Sequence, residues 1–340
     1  MILMIEGDYY CTNGEKLVCN YEKSPAIKEI YIILAENRLL KPTHMKKLIL
    51  PFSFLLVLNC NFLLAQTNPE MPLYPNGIEK NPISHPKPET VVDSVINPLS
   101  LSKKNRVISN ISIPTYQIFP ASEASNKHIG VVIFPGGGLV NNWVDKEGTD
   151  LALWLSEQGI NCMVVKYRTN RKDEKGDMII DIDDYKGAIY KDARTGILKM
   201  KEMAESLKID KDKIGILGFS AGGWLSERIA IKSTESKEIV DWKPAFVGLI
   251  YHGNTLSNFK RVGNIAALPP VFMAIARDDK KMPMKEIIPG LAAVVAEVNH
   301  SELHIYSKGD HGFGLAYDKG NSVSQWKNSF YNWLLDIYNK

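Results

Sequence analysis

The chain has 340 residues, 45% of them hydrophobic and 23% charged, with a formal charge of +3. That is the make-up of a globular protein with material for a sizeable core. So small a charge, with no long basic run, excludes nucleic acid as the expected partner.

The first distinctive segment is "MKKLILPFSFLLVLNCNFLLAQ", which starts at Met45 and has a basic start, an apolar centre and a small residue before a polar stretch. This is the pattern of a secretory signal peptide over residues 45–65, cleaved after Ala65. The alternative is a membrane anchor, but the run from Leu48 to Leu64 is interrupted by Pro51, Asn59, Cys60 and Asn61 and is short against the roughly 20 residues of a spanning helix. A lipoprotein attached at Cys60 would want a small residue where Asn59 stands. The expectation is a secreted or periplasmic protein with no stable membrane insertion after cleavage. Residues 1–44 then read as an upstream mis-start region. Of the four cysteines, Cys11, Cys19 and Cys60 fall in these leading segments. Cys162 is left without a disulfide partner and, in the apolar run "INCMVVKYR", packs as a small hydrophobe.

Residues 66–105 are rich in Pro, Asn, Lys and Ser, as in "NPISHPKPET", and read as a linker or an extended arm over the domain. From residue 106 to 340 the pattern is that of one catalytic-sized domain. Short β-branched runs at 129–134, 162–168, 213–219, 246–252, 271–277 and 302–307 predict strands. Helical spacing appears near 147–158, 185–206, 221–233, 284–299 and 323–338. Fully apolar strands alternating with helices predict an α/β fold with a mostly parallel central sheet covered by helices on both faces.

One of these strand-to-helix junctions reads "KIGILGFSAGGWLSERIAIK", and it frames Ser220 with Gly218 and Gly222. The pentapeptide G-x-S-x-G alone arises by chance in about one chain in ten of this length. Placed between a strand and a helix, it has the form of a nucleophile elbow. Serine needs a base to take its proton and a carboxylate to orient that base. Among the seven histidines, His311 in the loop "KGDHGFG" follows the last strand pattern and is the foremost candidate. His252 ends a strand pattern and reads as a pocket-lining or core residue. His300 and His304 are spaced i, i+4, but a strand pattern begins near Glu302 and no H-E-x-x-H is present, so surface or packing roles are expected rather than a metal. The stretch "ARDDKKMP" supplies Asp278 and Asp279 between the serine and His311; one can cap the turn while the other works. In "FPGGGLV", Gly136, Gly137 and Gly138 follow the first core strand and can present bare backbone N–H groups, with the Ala221 amide completing an oxyanion hole. Each part sits at the C-terminal end of a strand pattern, where open α/β sheets place their sites.

With these stretches, and with "EGTDLALWLSEQGINCMVVKYR" and "KDARTGILKMKE", the sequence resembles the α/β-hydrolase superfamily, and within it secreted bacterial acetylxylan esterase-like and feruloyl esterase-like enzymes. The resemblance covers roughly residues 70–340 and implies a Ser220, His311, Asp279 triad, the acid chosen because "DKKMP" matches the family's D-x-x-V-P with Met282 in place of valine. It also implies an oxyanion hole of Gly137, Gly138 and Ala221. Tyr167, Arg168, Asp192 and Arg194 match structural positions. Trp143, in "LVNNW", is a substrate-contact candidate with core packing as the alternative. The implied activity is a serine carboxylesterase removing acetyl or other acyl groups from polysaccharide or oligosaccharide. No cofactor or metal is called for, and the partner is an acylated carbohydrate or small ester. A dipeptidyl or prolyl peptidase, or a silent binding protein on the same fold, are the alternatives.

Overall fold

The computed structural model describes residues 68–340 apart from 237–238, 253–263, 318, 321 and 339–340, together with the short strands Leu3–Ile5, Asp8–Tyr10 and Lys16–Leu17. Those three strands pair antiparallel within a unit of their own, Met1–Thr67, and the second unit is Asn68–Lys340. The signal-peptide segment 45–65, with Cys60, lies outside the described residues, as does most of 1–44.

The larger unit is built on an eight-stranded sheet. In chain order its strands are β1 (Met71–Pro72), β4 (Thr115–Phe119), β5 (Gly130–Phe134), β7 (Asn161–Lys166), β8 (Ile214–Phe219), β9 (Val247–Ile250), β10 (Val271–Ala276) and β11 (Glu302–Tyr306). They lie in the order β11-β10-β9-β8-β5-β7-β4-β1. The six strands from β11 to β7 run parallel, and β4 and β1 close the far edge antiparallel. A second sheet joins β2 (Thr90–Asp93), β3 (Arg106–Ser109) and β6 (Asn141–Asn142). The segment read from sequence as a linker or arm therefore contributes a strand to each sheet.

Why the central runs became strands is visible in their burial. Every residue of β5, β7, β8, β9 and β10 is buried, as a sheet covered on both faces requires. The period of two sorts the side chains: Val131 and Ile133 enter one core, Val132 and Phe134 the other. Helices α1 (Asp150–Glu157) and α5 (Trp326–Asp336) cover the first face. Helices α2 (Ile182–Glu202), α3 (Ala221–Glu235) and α4 (Met284–Glu297) cover the second. Cys162 is fully buried, and burial pushes its thiol well up.

A buried ion pair ties the N-terminal segment to this frame. Arg168, just beyond β7, donates from Nε and Nη2 to the two oxygens of Asp192 on α2 at 2.9 and 2.7 Å. Its Nη1 reaches Asn81 at 2.7 Å, and the Tyr74 hydroxyl donates to Asp192 at 2.8 Å. Tyr167 donates to the Pro135 carbonyl at 2.8 Å. Arg194 lies with its guanidinium 5.4 Å from the centre of the Trp242 ring.

Candidate active site

Ser220 stands between β8 and α3 with φ +48° and ψ −114°, a conformation that a non-glycine residue adopts only when its surroundings impose it. Here its N–H donates to the Ile250 carbonyl at 2.9 Å, and its own carbonyl accepts from Trp224 at 3.0 Å. The turn is tight enough that a Cβ on Gly218 would strike the Gly222 carbonyl, and one on Gly222 would strike that of Phe134. Only glycine permits either approach.

His311 reaches this serine from the loop after β11. Its Nε2 lies 2.9 Å from Ser220 Oγ, and its Nδ1 lies 2.7 Å from Asp279 Oδ2. A proton on Nδ1 satisfies both contacts, since Nδ1–H then donates to the carboxylate and Nε2 accepts from the hydroxyl. The Asp279 side chain is fully buried and that of His311 is 12% exposed. The second oxygen of Asp279 accepts the Lys281 N–H at 2.8 Å.

Asp278 does something different. Its Oδ1 accepts the backbone N–H of Asp310 at 2.8 Å, pinning the loop that carries the histidine. Asp310 has φ +57° and accepts the His311 N–H at 2.8 Å, which holds its carboxyl below the usual range. The sequence offered two neighbouring acids, and the structure brings Asp279 to the imidazole and Asp278 to the loop backbone.

The glycine loop follows β5. Gly137 and Gly138 have φ +136° and +64°, and the Gly137 carbonyl accepts from Asn141 at 3.0 Å. A Cβ on Gly136 would lie 2.9 Å from that of Ser220, so the loop presses against the elbow. Ala221 opens α3, where the first-turn amides have no helical acceptor and the dipole favours negative charge.

Beneath these loops lies a carboxyl that pattern reading passed over. Glu147, 5% exposed, accepts the Gly136 N–H at 2.8 Å through Oε2 and the Tyr251 O–H at 2.9 Å through Oε1. The Tyr251 oxygen in turn accepts the Gly314 N–H at 3.1 Å, three residues past His311. The Tyr251 ring meets that of His311 edge-on, with centroids 5.1 Å apart. Burial pushes the Glu147 carboxyl up, against the opposing pull of the Tyr251 hydrogen bond and of Lys146. Burial also drives the Tyr251 phenol well up, and Glu147 adds to it.

Trp143 is half-buried, its N–H bonded to the Gly136 carbonyl at 3.1 Å and Lys146 Nζ 5.9 Å from its ring centre. With Lys146, Phe313 and Tyr317 it lines a cavity of about 530 Å³ that residues 94–98 and Ser100 also line. Neither Ser220 nor His311 lines that cavity, which adjoins the site through Trp143 and the loop after His311.

Against known proteins, the BD-FAE family model matches residues 117–247, a span holding the glycine loop and the elbow and ending before Asp279 and His311. An acetylxylan esterase of Xylanibacter ruminicola is 29% identical over 224 residues, 58% of this chain and 42% of that one. The chain thus spans less than half the length of this curated relative. Two crystal structures share the fold over nearly their whole length. An acetyl ester-xyloside bifunctional hydrolase from Caldicellulosiruptor lactoaceticus superposes with TM-score 0.58 at 22% identity, covering 81% of this chain and 98% of that one. A sugar hydrolase from Lactococcus lactis gives 0.53 at 18%, covering 73% and 98%. The chain has the α/β-hydrolase fold.

Within the α/β-hydrolase frame the remaining histidines have other surroundings. His252, fully buried, packs its Cβ against Gly223 of α3, and neither ring nitrogen has a partner among the described residues. Burial lowers its pKa to about 3. His304 lies on β11, bonded to Glu302 at 2.8 Å with its ring 4.9 Å from that of Phe272. His300 precedes that strand and accepts the Trp333 indole N–H on its carbonyl at 2.6 Å. Trp224 is half-buried against Tyr190, ring centres 6.1 Å apart.

Proposed function

We propose that the protein is a serine carboxylesterase that removes acetyl or similar acyl groups from polysaccharide or oligosaccharide. One observation carries this reading: an unbroken hydrogen-bonded line from Ser220 Oγ, at a strained elbow beside a glycine loop, through His311 to the buried Asp279. His311 takes the proton from Ser220 as Oγ attacks the ester carbonyl, and Asp279 stays ionised and holds the imidazole. The tetrahedral oxyanion is met by backbone N–H groups of Gly137, Gly138 and Ala221, each such donor contributing about 3 kcal/mol in the transition state. The protonated His311 gives its proton to the departing sugar hydroxyl. Water, deprotonated by the same histidine, then cleaves the acyl-enzyme.

The carbohydrate half of the reading is supported by the acetylxylan esterase relative and by Trp143, an aromatic ring among the residues lining the adjoining cavity. The signal-like segment starting at Met45 supports export. Intact-mass analysis of exported protein tests that point: a chain starting at Gln66 is expected, and any residue ahead of it contradicts cleavage after Ala65.

Acetate release from acetylated xylan oligosaccharides, run beside a short-chain chromogenic ester and a dipeptidyl amide, tests the substrate class. Serine-dependent acetate release is expected. Cleavage of the amide alone marks a peptidase, and silence on all three marks a binding protein.

A further inference from the structure

The triad accounts for activation of the serine but not for what keeps two irregular loops aligned on it. The glycine loop and the His311 loop both meet Ser220, and each must stay in register to within a fraction of an ångström, because a misplacement of about 1 Å costs on the order of 10²-fold in rate. One side chain touches the supports of both. Glu147 Oε2 accepts the N–H of Gly136, whose Cβ position lies 2.9 Å from the Cβ of Ser220. Its Oε1 accepts the Tyr251 hydroxyl, and that hydroxyl accepts the N–H of Gly314.

The surroundings of this bridge exclude a casual contact. Glu147 lies in a turn, residues 145–149, whose backbone is fixed by bonds from Glu147 N–H to Trp143 and from Thr149 N–H to Val144 at 3.0 and 2.9 Å. Tyr251 has φ +35°, a costly conformation for a tyrosine. That conformation comes with a ring lodged between His311 and Phe313, centroids 5.1 and 4.4 Å away. A buried carboxyl is itself expensive unless its oxygens are satisfied, and here both are.

We propose that Glu147 is a positioning residue which, through Tyr251, holds the glycine loop and the His311 loop in register with Ser220. The proposal rests on the esterase reading for its substrate but not for its geometry. The bridge needs two acceptors, one for the Gly136 N–H and one for the Tyr251 O–H; a glutamine keeps the first through its amide oxygen and turns an NH₂ donor to the phenol, so it preserves the contact but not the acceptor for the Tyr251 proton.

The test compares Glu147→Ala, Glu147→Gln and Tyr251→Phe on a short-chain chromogenic ester, with kcat expressed per serine titrated and the melting temperature recorded for each. Glu147→Ala is expected to lower kcat about a hundredfold with KM within about threefold. Glu147→Gln keeps the acceptor for Gly136 and is expected to recover most of that loss, to within about tenfold of the wild type. Tyr251→Phe keeps the Gly136 bond, loses the link to Gly314 and falls about tenfold; it carries the test if the alanine variant does not fold. Loss of melting temperature with unchanged kcat per titrated serine would overturn the proposal, as would a glutamine variant as slow as the alanine one. If the wild type cleaves no ester, the esterase reading fails separately. The same variants are then compared by the rate at which a fluorophosphonate labels Ser220, a step that forms the Oγ–P bond, expels fluoride and hands the serine proton to His311. Slowed labelling rescued by glutamine upholds the bridge. Equal labelling in all variants, or none in the wild type, overturns it.

Discussion

Two buried carboxylates of this molecule are handled in opposite ways. Asp192 is clamped by the Arg168 guanidinium on both oxygens and takes the Tyr74 hydroxyl as well, in a pocket where the side chains of the pair are 1% and 0% exposed. Asp279 is equally buried, yet its partner is an imidazole whose far nitrogen is spent on a serine hydroxyl at the surface of the site. The first arrangement holds β7, α2 and the N-terminal segment together and has no bond left to offer. In the proposed mechanism the second is directional: the imidazole takes the serine proton and returns it to the leaving group, while Asp279 stays ionised and holds the ring. A carboxylate saturated by a guanidinium acts as a fastener, whereas one that orients an imidazole leaves, in the proposed mechanism, a base free to act on the serine.

Substitutions at either end separate the two. Ser220→Ala is expected to have the largest effect, lowering ester turnover about 10⁶-fold while leaving the melting temperature close to the wild type, read by acetate release and calorimetry. Asp279→Asn keeps the shape but favours the wrong imidazole tautomer, and about a 10⁴-fold loss of kcat is expected. Arg168→Met reverses the pattern. It strands the Asp192 charge and is expected to cost about 3–5 kcal/mol in a denaturant titration, with turnover per folded molecule unchanged. If turnover fell with Arg168→Met as steeply as with Asp279→Asn, the division between fastener and relay would be wrong.

His252 sharpens the contrast from a third side, as a buried titratable ring coupled to neither. Its pKa is about 3 in the folded protein because burial disfavours the charged form, against about 6.5 unfolded. Since the unfolded chain binds a proton that the native state refuses, His252 leaves stability intact above about pH 6.5. As pH falls from there toward 3 it removes stability progressively. His252→Asn is expected to flatten stability across that window, measured by denaturant titration at stepped pH. The smallest effect belongs to Asp278→Asn, which loosens one exposed loop bond; about a tenfold loss of activity or less is expected.

Much of the site is legible in the amino-acid sequence because each part follows an apolar run. The elbow serine, the paired aspartates and His311 lie just past β8, β10 and β11, and period and composition mark those strands clearly. What is not legible depends on distance along the chain. β4, "TYQIF", alternates with threonine and glutamine and packs at the antiparallel edge, so it lacks the continuous apolar signature of its neighbours. β1 and β2, in the segment read as a linker or arm, are two and four residues long and exist only through their partners. Glu147 reads in "DKEGTD" as one charge among several on a solvated turn, and its burial depends on a tyrosine 104 residues away. The nearest signal is Gly148, where a Cβ would press on Val164 at 2.8 Å and which marks that turn as packed against the sheet.

The most direct test of the relay is to trap its covalent intermediate. After rapid acid quench of the enzyme turning over an acetyl ester, peptide mass mapping is expected to find one acetyl group on Ser220, absent in Ser220→Ala and scarcely formed in Asp279→Asn. Acetate released at the wild-type rate with no acetyl on Ser220, or with the acetyl on another residue, would contradict the assignment of the nucleophile.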